Sequence, residues 1–142
     1  MTGSTGLQIE IDGRAYPAKD LALSAKSCRE GDFQYLEINI WTNNENASAH
    51  AGVALNCIIF PGKTKLSEIA NEDLHLGDEG YGELGESVFV SPDHDTLEIE
   101  ALTLRLVPQA TDGVLVTLNG YCRDHHGNSN LPVSMQALAR LA

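Results

Sequence analysis

The sequence predicts an all-β chain, built as one antiparallel β-sandwich or small β-barrel of about eight or nine short strands. One short helix is expected near residues 64–72. Three observations carry this reading. Apolar and polar residues alternate with period two through most of the chain from Leu97 to Leu141, the mark of strands with one buried and one wet face. Turn dipeptides recur between such runs. Only one stretch shows helical spacing.

The strongest strands lie toward the C-terminus. Leu97, Ile99 and Ala101 alternate with Glu98 and Glu100, after which Leu102, Leu104 and Leu106 alternate with Thr103 and Arg105. The phase slips between Ala101 and Leu102, as one extra residue in a strand would cause, so a β-bulge is expected there. After a turn near Pro108–Gly113, Val114, Val116, Leu118 and Cys122 share one face, with Thr117, Asn119, Tyr121 and Arg123 on the other. A loop over Arg123–Asn130 leads to the last strand, where Leu131, Val133, Met135, Ala137, Ala139 and Leu141 repeat the pattern. These three strands form an antiparallel meander.

From the N-terminus, residues 1–6 read as a flexible lead-in without the basic and apolar segments of a signal peptide. Leu7, Ile9 and Ile11 alternate with polar residues, and Asp12-Gly13 signals a two-residue hairpin. Pro17 places the returning strand at an edge. Leu21–Arg29 follows, with Leu21, Leu23 and Ala25 facing inward, and turns at Glu30-Gly31-Asp32. Leu36, Ile38 and Ile40 then oppose Tyr35, Glu37, Asn39 and Trp41.

Thr42–Gly52 is small and polar and reads as a loop. Val53–Phe60 is nearly continuous in apolar residues, as expected of a strand covered on both faces. Beyond Pro61-Gly62, Leu66, Ile69 and Ala70 fall at helical spacing, enough for about two turns that plug the fold. Asp78–Glu86 is an acidic glycine-bearing loop, Ser87–Val90 a brief strand, and Pro92–Asp95 a turn.

The 142 residues match one domain, residues 1–142, able to bury a core without staples. No apolar run approaches the roughly 18 residues of a membrane span. Cys28, Cys57 and Cys122 are odd in number and lack any CxxC pairing. They indicate a reduced, cytoplasmic protein. Asn46-Ala47-Ser48 matches a glycosylation pattern that has meaning only after secretion.

Charge is the most distinctive property. The net charge is −11, and no Lys or Arg stands between Lys65 and Arg105 while eleven acids do. Elsewhere nine acids balance nine bases. Such a field disfavours nucleic acid and anionic membranes and favours a basic protein partner.

The leading functional reading is therefore an interaction protein, inhibitor- or immunity-like, whose acidic segment 66–104 docks a basic partner through Glu79, Glu83, Glu86, Asp93, Asp95, Glu98 and Glu100. A second reading is a barrel binding a small ligand at its mouth or interior, lined by Trp41, Tyr35 and Tyr121. A third is a metal site using His94, His125 and His126. Asp93, Asp95 and Asp78-Glu79 could instead offer oxygen donors to calcium, although no twelve-residue EF-hand pattern is present.

Cys122-Arg123-Asp124-His125-His126 gathers a thiol, a carboxylate and two imidazoles. The phase of the strand nevertheless points Cys122 into the core, so no catalytic residue is assigned and the balance favours a non-enzyme without a cofactor. A homodimer through an exposed sheet edge fits all three readings.

Overall fold

The computed structural model describes residues 8–18, 20–42, 51–76, 87–90, 96–109 and 113–141. The described residues form ten strands: β1 Gln8–Ile11, β2 Arg14–Pro17, β3 Leu21–Glu30, β4 Phe33–Thr42, β5 Gly52–Pro61, β6 Leu74–Leu76, β7 Ser87–Val90, β8 Thr96–Pro108, β9 Gly113–Arg123 and β10 Leu131–Leu141. Seven of them close a barrel in the order β3-β4-β5-β7-β8-β9-β10 and back to β3. The expected all-β class holds, and the barrel form is the one adopted.

The meander β8-β9-β10 is the wall on which the rest is hung. Its strands are the longest, and each outer member carries two partners on its free edge. β10 pairs with β1 at Val133–Met135 and with β3 at Arg140–Leu141. β8 pairs with β7 at Thr96–Glu98 and with β6 at Leu102–Leu104. The β10–β3 contact is parallel, unlike every other described pairing, and it closes the barrel with two residue pairs. Parallel closure leaves no local sequence signature, because the two segments are far apart in the chain.

The turns follow their residues. Asp12 and Gly13 both adopt positive φ, 51° and 85°, the backbone that a type I′ hairpin requires and that Asp-Gly accepts at little cost. β2 lies at the end of the strand order, where Pro17 removes no needed ladder donor.

Bulges set the phase of the two strands that look irregular in sequence. Between β8 and β9 the register steps from Ile99–Cys122 to Ala101–Tyr121, so Glu100 is the extra residue. The bulge thus lies one position before the expected site. It carries the inward phase from Leu97 and Ile99 to Leu102, Leu104 and Leu106. Between β4 and β5 the pairs Ile38–Ile58 and Ile40–Leu55 enclose one extra residue in β5.

That second bulge corrects the reading of Val53–Phe60. Val53 and Leu55 point inward before it, Ile58 and Phe60 after it, while Ala54, Asn56 and Ile59 remain only partly covered. The run looks continuous because two alternating segments are joined out of phase, not because both faces are buried.

Three further expectations change. Ala25 is exposed, because β10 reaches only Ala22 and Leu23 on that edge of β3 and the strand then runs on with β4 alone. The expected helix is a three-residue 3-10 turn, Leu66–Glu68. There the Glu68 carboxylate accepts the amides of Thr64 and Lys65 at 2.8 and 2.9 Å, and the Thr64 hydroxyl at 3.0 Å. A single tight turn satisfied by one side chain leaves no run of amides to propagate a helix. β6, lying just after it, is a short strand that the sequence reading did not anticipate.

The plugging role survives this change. Ile69 is fully buried in the core, and the Asn71 amide donates to the Leu106 carbonyl at 2.8 Å. Arg105 then ties the segment from outside, donating to Asn71 O and pairing with Asp73 at 3.1 Å.

The barrel interior is filled by inward side chains, with Phe60 and Phe89 the largest of those fully buried. Among the described residues no helix is long and apolar enough to cross a membrane.

Candidate functional site

On the outer wall of the barrel, the register decides which outward side chains stand together. One row crosses five strands: Glu10 of β1 faces Ser134 of β10, which faces Asn119 of β9, then Thr103 of β8, then His75 of β6. His75 Nδ1 and Thr103 Oγ1 share a hydrogen bond of 3.1 Å. The neighbouring row carries Gln136, Thr117 and Arg105. On the other side, Pro132 faces Tyr121, which faces Ala101 at the bulge.

These rows outline a cleft of ≈ 380 Å³ lined by Gly120, Tyr121, Glu10, Asn119, Thr103 and Ser134. A second hollow of ≈ 330 Å³ continues it past Glu10, Asn119 and Ser134 toward Gln8, Thr117 and Gln136. Gly120 lets this happen. A Cβ there would overlap the Ala101 carbonyl oxygen and stand 2.9 Å from Leu102 Cα, so only glycine lets the bulged β8 backbone come this close.

The lining mixes apolar surface with polar side chains open for bonding. Among the described residues, the side chains of Glu10, Asn119, Ser134 and Tyr121 make no internal hydrogen bond or ion pair. Tyr121 is 49% exposed, far more than the ring of a core tyrosine. Among the described residues, Glu10 is the only charged one on the wall of the cleft, and no base lines it.

Carboxylates also crowd its end. The Cys122 thiol is pushed up to about 11, first by burial and then by the charges of Glu100, Asp12 and Asp124. Three acids from the bulge, the hairpin and the β9–β10 turn therefore converge on one end of β9. Two of them also have structural work. Glu100 accepts the Asn130 amide at 2.8 Å. Asp124 accepts the amides of His126 and Asn128 and the Asn128 side chain, which holds its carboxyl below the usual range.

The expected site residues are scattered by the fold. Tyr35 and Trp41 lie on the outward face of β4, half-buried and six positions apart. Two strands, β3 and β10, separate β4 from β9 in one direction and three in the other, so neither joins Tyr121. Tyr35 instead stacks on Phe33 at 5.2 Å between ring centroids. All three aromatics lie on the outer face, since in each strand they fall on the phase opposite the core.

His125 and His126 are exposed in the turn that Asp124 organises. Among the described residues, no three metal-ligating side chains converge. Of the acidic set, Glu98 pairs with Arg123 at 2.8 Å and Glu100 is committed to Asn130. Glu79, Glu83, Glu86, Asp93, His94 and Asp95 lie outside the described residues, as does Asp78.

Cys122 is fully buried and faces the core, as its phase predicts. With its thiol held protonated at neutral pH by burial and nearby carboxylates, it lacks the electropositive setting that makes a nucleophile.

Sequence reasoning missed Glu10, Thr103, Asn119 and Ser134. Each reads as an ordinary polar residue on a wet strand face, and the only signal was that phase. Glu10 joins them through pairing register between segments more than a hundred positions apart, while Thr103, Asn119 and Ser134 align through the register of the meander. No family model, curated protein or solved structure matches this chain.

Proposed function

We propose that this chain is a binding protein whose ligand sits on the outer wall of the β1-β10-β9-β8 sheet, in the cleft over Gly120. The observation that carries the reading is the conjunction of a half-exposed Tyr121 with unpartnered Glu10, Asn119 and Ser134 around one hollow. A pocket with an apolar surface and a few convergent polar groups is the ordinary form of a ligand site. The test is a two-dimensional amide NMR titration with small polar probes: neutral trisaccharides, trilysine and triglutamate. Binding at this site moves the amides of Asn119, Gly120, Tyr121 and Ser134. Shifts confined to another face, or none with any probe, would sink the reading.

A second reading retains a basic protein as partner. It is supported by the net charge of −11 and by Asp12, Glu100 and Asp124 gathering at the end of the same wall. Complementary charge speeds encounter and selects the partner. A captured basic protein should then dissociate as salt rises, and one that stays bound in high salt would rule this reading out.

A further inference from the structure

The chemistry of the cleft narrows its ligand. Its groups form a grid rather than a single anchor point. Across the strands, Glu10, Ser134, Asn119 and Thr103 follow one another at about 4.8 Å, the scale of a single sugar ring. Along the strands, successive outward rows stand about 6.8 Å apart, so Tyr121, Asn119 and Thr117 span about 14 Å. The continuation of the cleft into the second hollow follows that same line.

The functional groups of the cross-strand row are an amide, two hydroxyls and one carboxylate, which together both donate and accept hydrogen bonds. A ligand that satisfies them must also donate and accept at short, regular intervals. Hydroxyl groups on a ring do so. Anionic ligands are disfavoured, since no described base lines the cleft and Glu10 would face them unpaired. Tyr121 stands across from Pro132 at one end of the grid, half-exposed, and offers a flat apolar surface beside these polar groups.

We propose that the cleft binds a neutral oligosaccharide of two to three rings, one ring stacked on Tyr121 and its hydroxyls bonded to Glu10, Asn119, Ser134 and Thr103. This rests on the cleft over Gly120 being the binding site. Glu10 accepts from sugar hydroxyls, where a carboxylate is the strongest acceptor available. Asn119 both donates and accepts, which sets which hydroxyl orientations fit. The outcome is selectivity by hydroxyl pattern, since a missing hydroxyl leaves a desolvated protein group without a partner.

The experiment is calorimetric titration of the whole chain with neutral trisaccharides of glucose, N-acetylglucosamine, mannose and galactose, with trilysine and triglutamate as controls. At least one sugar should bind and the anionic control should not. Tyr121→Ala should weaken binding by about tenfold or more and Tyr121→Phe by much less, as expected when the ring face carries the contact. Glu10→Gln should weaken it several-fold with the amide spectrum otherwise unchanged. If no sugar binds while trilysine moves the Asn119 and Tyr121 amides, the ligand class is wrong and the site stands. If no probe moves those amides, site and class fall together. A sugar that binds equally well to Tyr121→Ala would also overturn the assignment.

Discussion

Gly120 sits so close to Ala101 that the carbonyl oxygen of the latter occupies the space of an absent Cβ. The contact joins the two features that shape the wall, the bulge in β8 and the floor of the cleft on β9.

Gly120→Ala should therefore destabilise the barrel by about 2 kcal/mol or more, because the atom met is backbone and cannot rotate aside. Denaturant unfolding measures this. Gly120 differs from Gly13 and Gly127, where a Cβ would meet nothing within 4 Å and the cost comes from positive φ alone. A Gly120→Ala chain as stable as the parent would show that β8 does not pass so near.

Glu100 is the extra residue of the bulge, and the bulge aims it at the β9–β10 turn. Glu100→Ala removes the acceptor for the Asn130 amide, whose residue holds φ of 56°. A loss of about 1 kcal/mol is expected, with faster hydrogen exchange at Asn130. Unchanged exchange at that amide would deny the contact.

Cys122 predicts an alkaline limit. Its folded pKa is raised, so the neutral thiol is favoured in the fold and the thiolate in the unfolded chain. The associated stability is whole below the ordinary thiol value of 9.0 and falls as pH rises toward about 11. Thermal unfolding at pH 8 and pH 10.5 should show the drop, and Cys122→Ala should lose less over that interval. At pH 8, iodoacetamide should label Cys28 well before Cys122, read by peptide mass.

Ile69 tests the plug. It is fully buried although it belongs to a segment with a single three-residue turn. Ile69→Ala should cost about 2–5 kcal/mol as a core truncation. The Asn71 amide, bonded to Leu106 O, should lose protection with it. A cost under about 0.5 kcal/mol, the range of surface substitutions, would mean the segment merely lies against the barrel.

The sequence by itself determined the local half of this protein. Alternation in Val133–Ala139 or Gln8–Ile11 reports which side chains face the core because a strand has only two faces, whereas Leu141, on the same phase and expected inside, is exposed at the strand's end. Asp12-Gly13 reports its turn because few residues accept that backbone. A bulge near Ala101 was legible as a slip of phase, and the inward direction of Cys122 as its consequence.

Tertiary structure alone decided the rest. The two-pair parallel closure of β10 on β3, and the row from Glu10 to His75, depend on register between distant segments. Burial in β5 depended on a bulge that fuses two alternating runs into one apolar string. Periodicity records which face a residue occupies, but nothing in it names the strand that will lie beside it. The core was therefore readable along the chain, while the candidate site, which exists only between strands, was not.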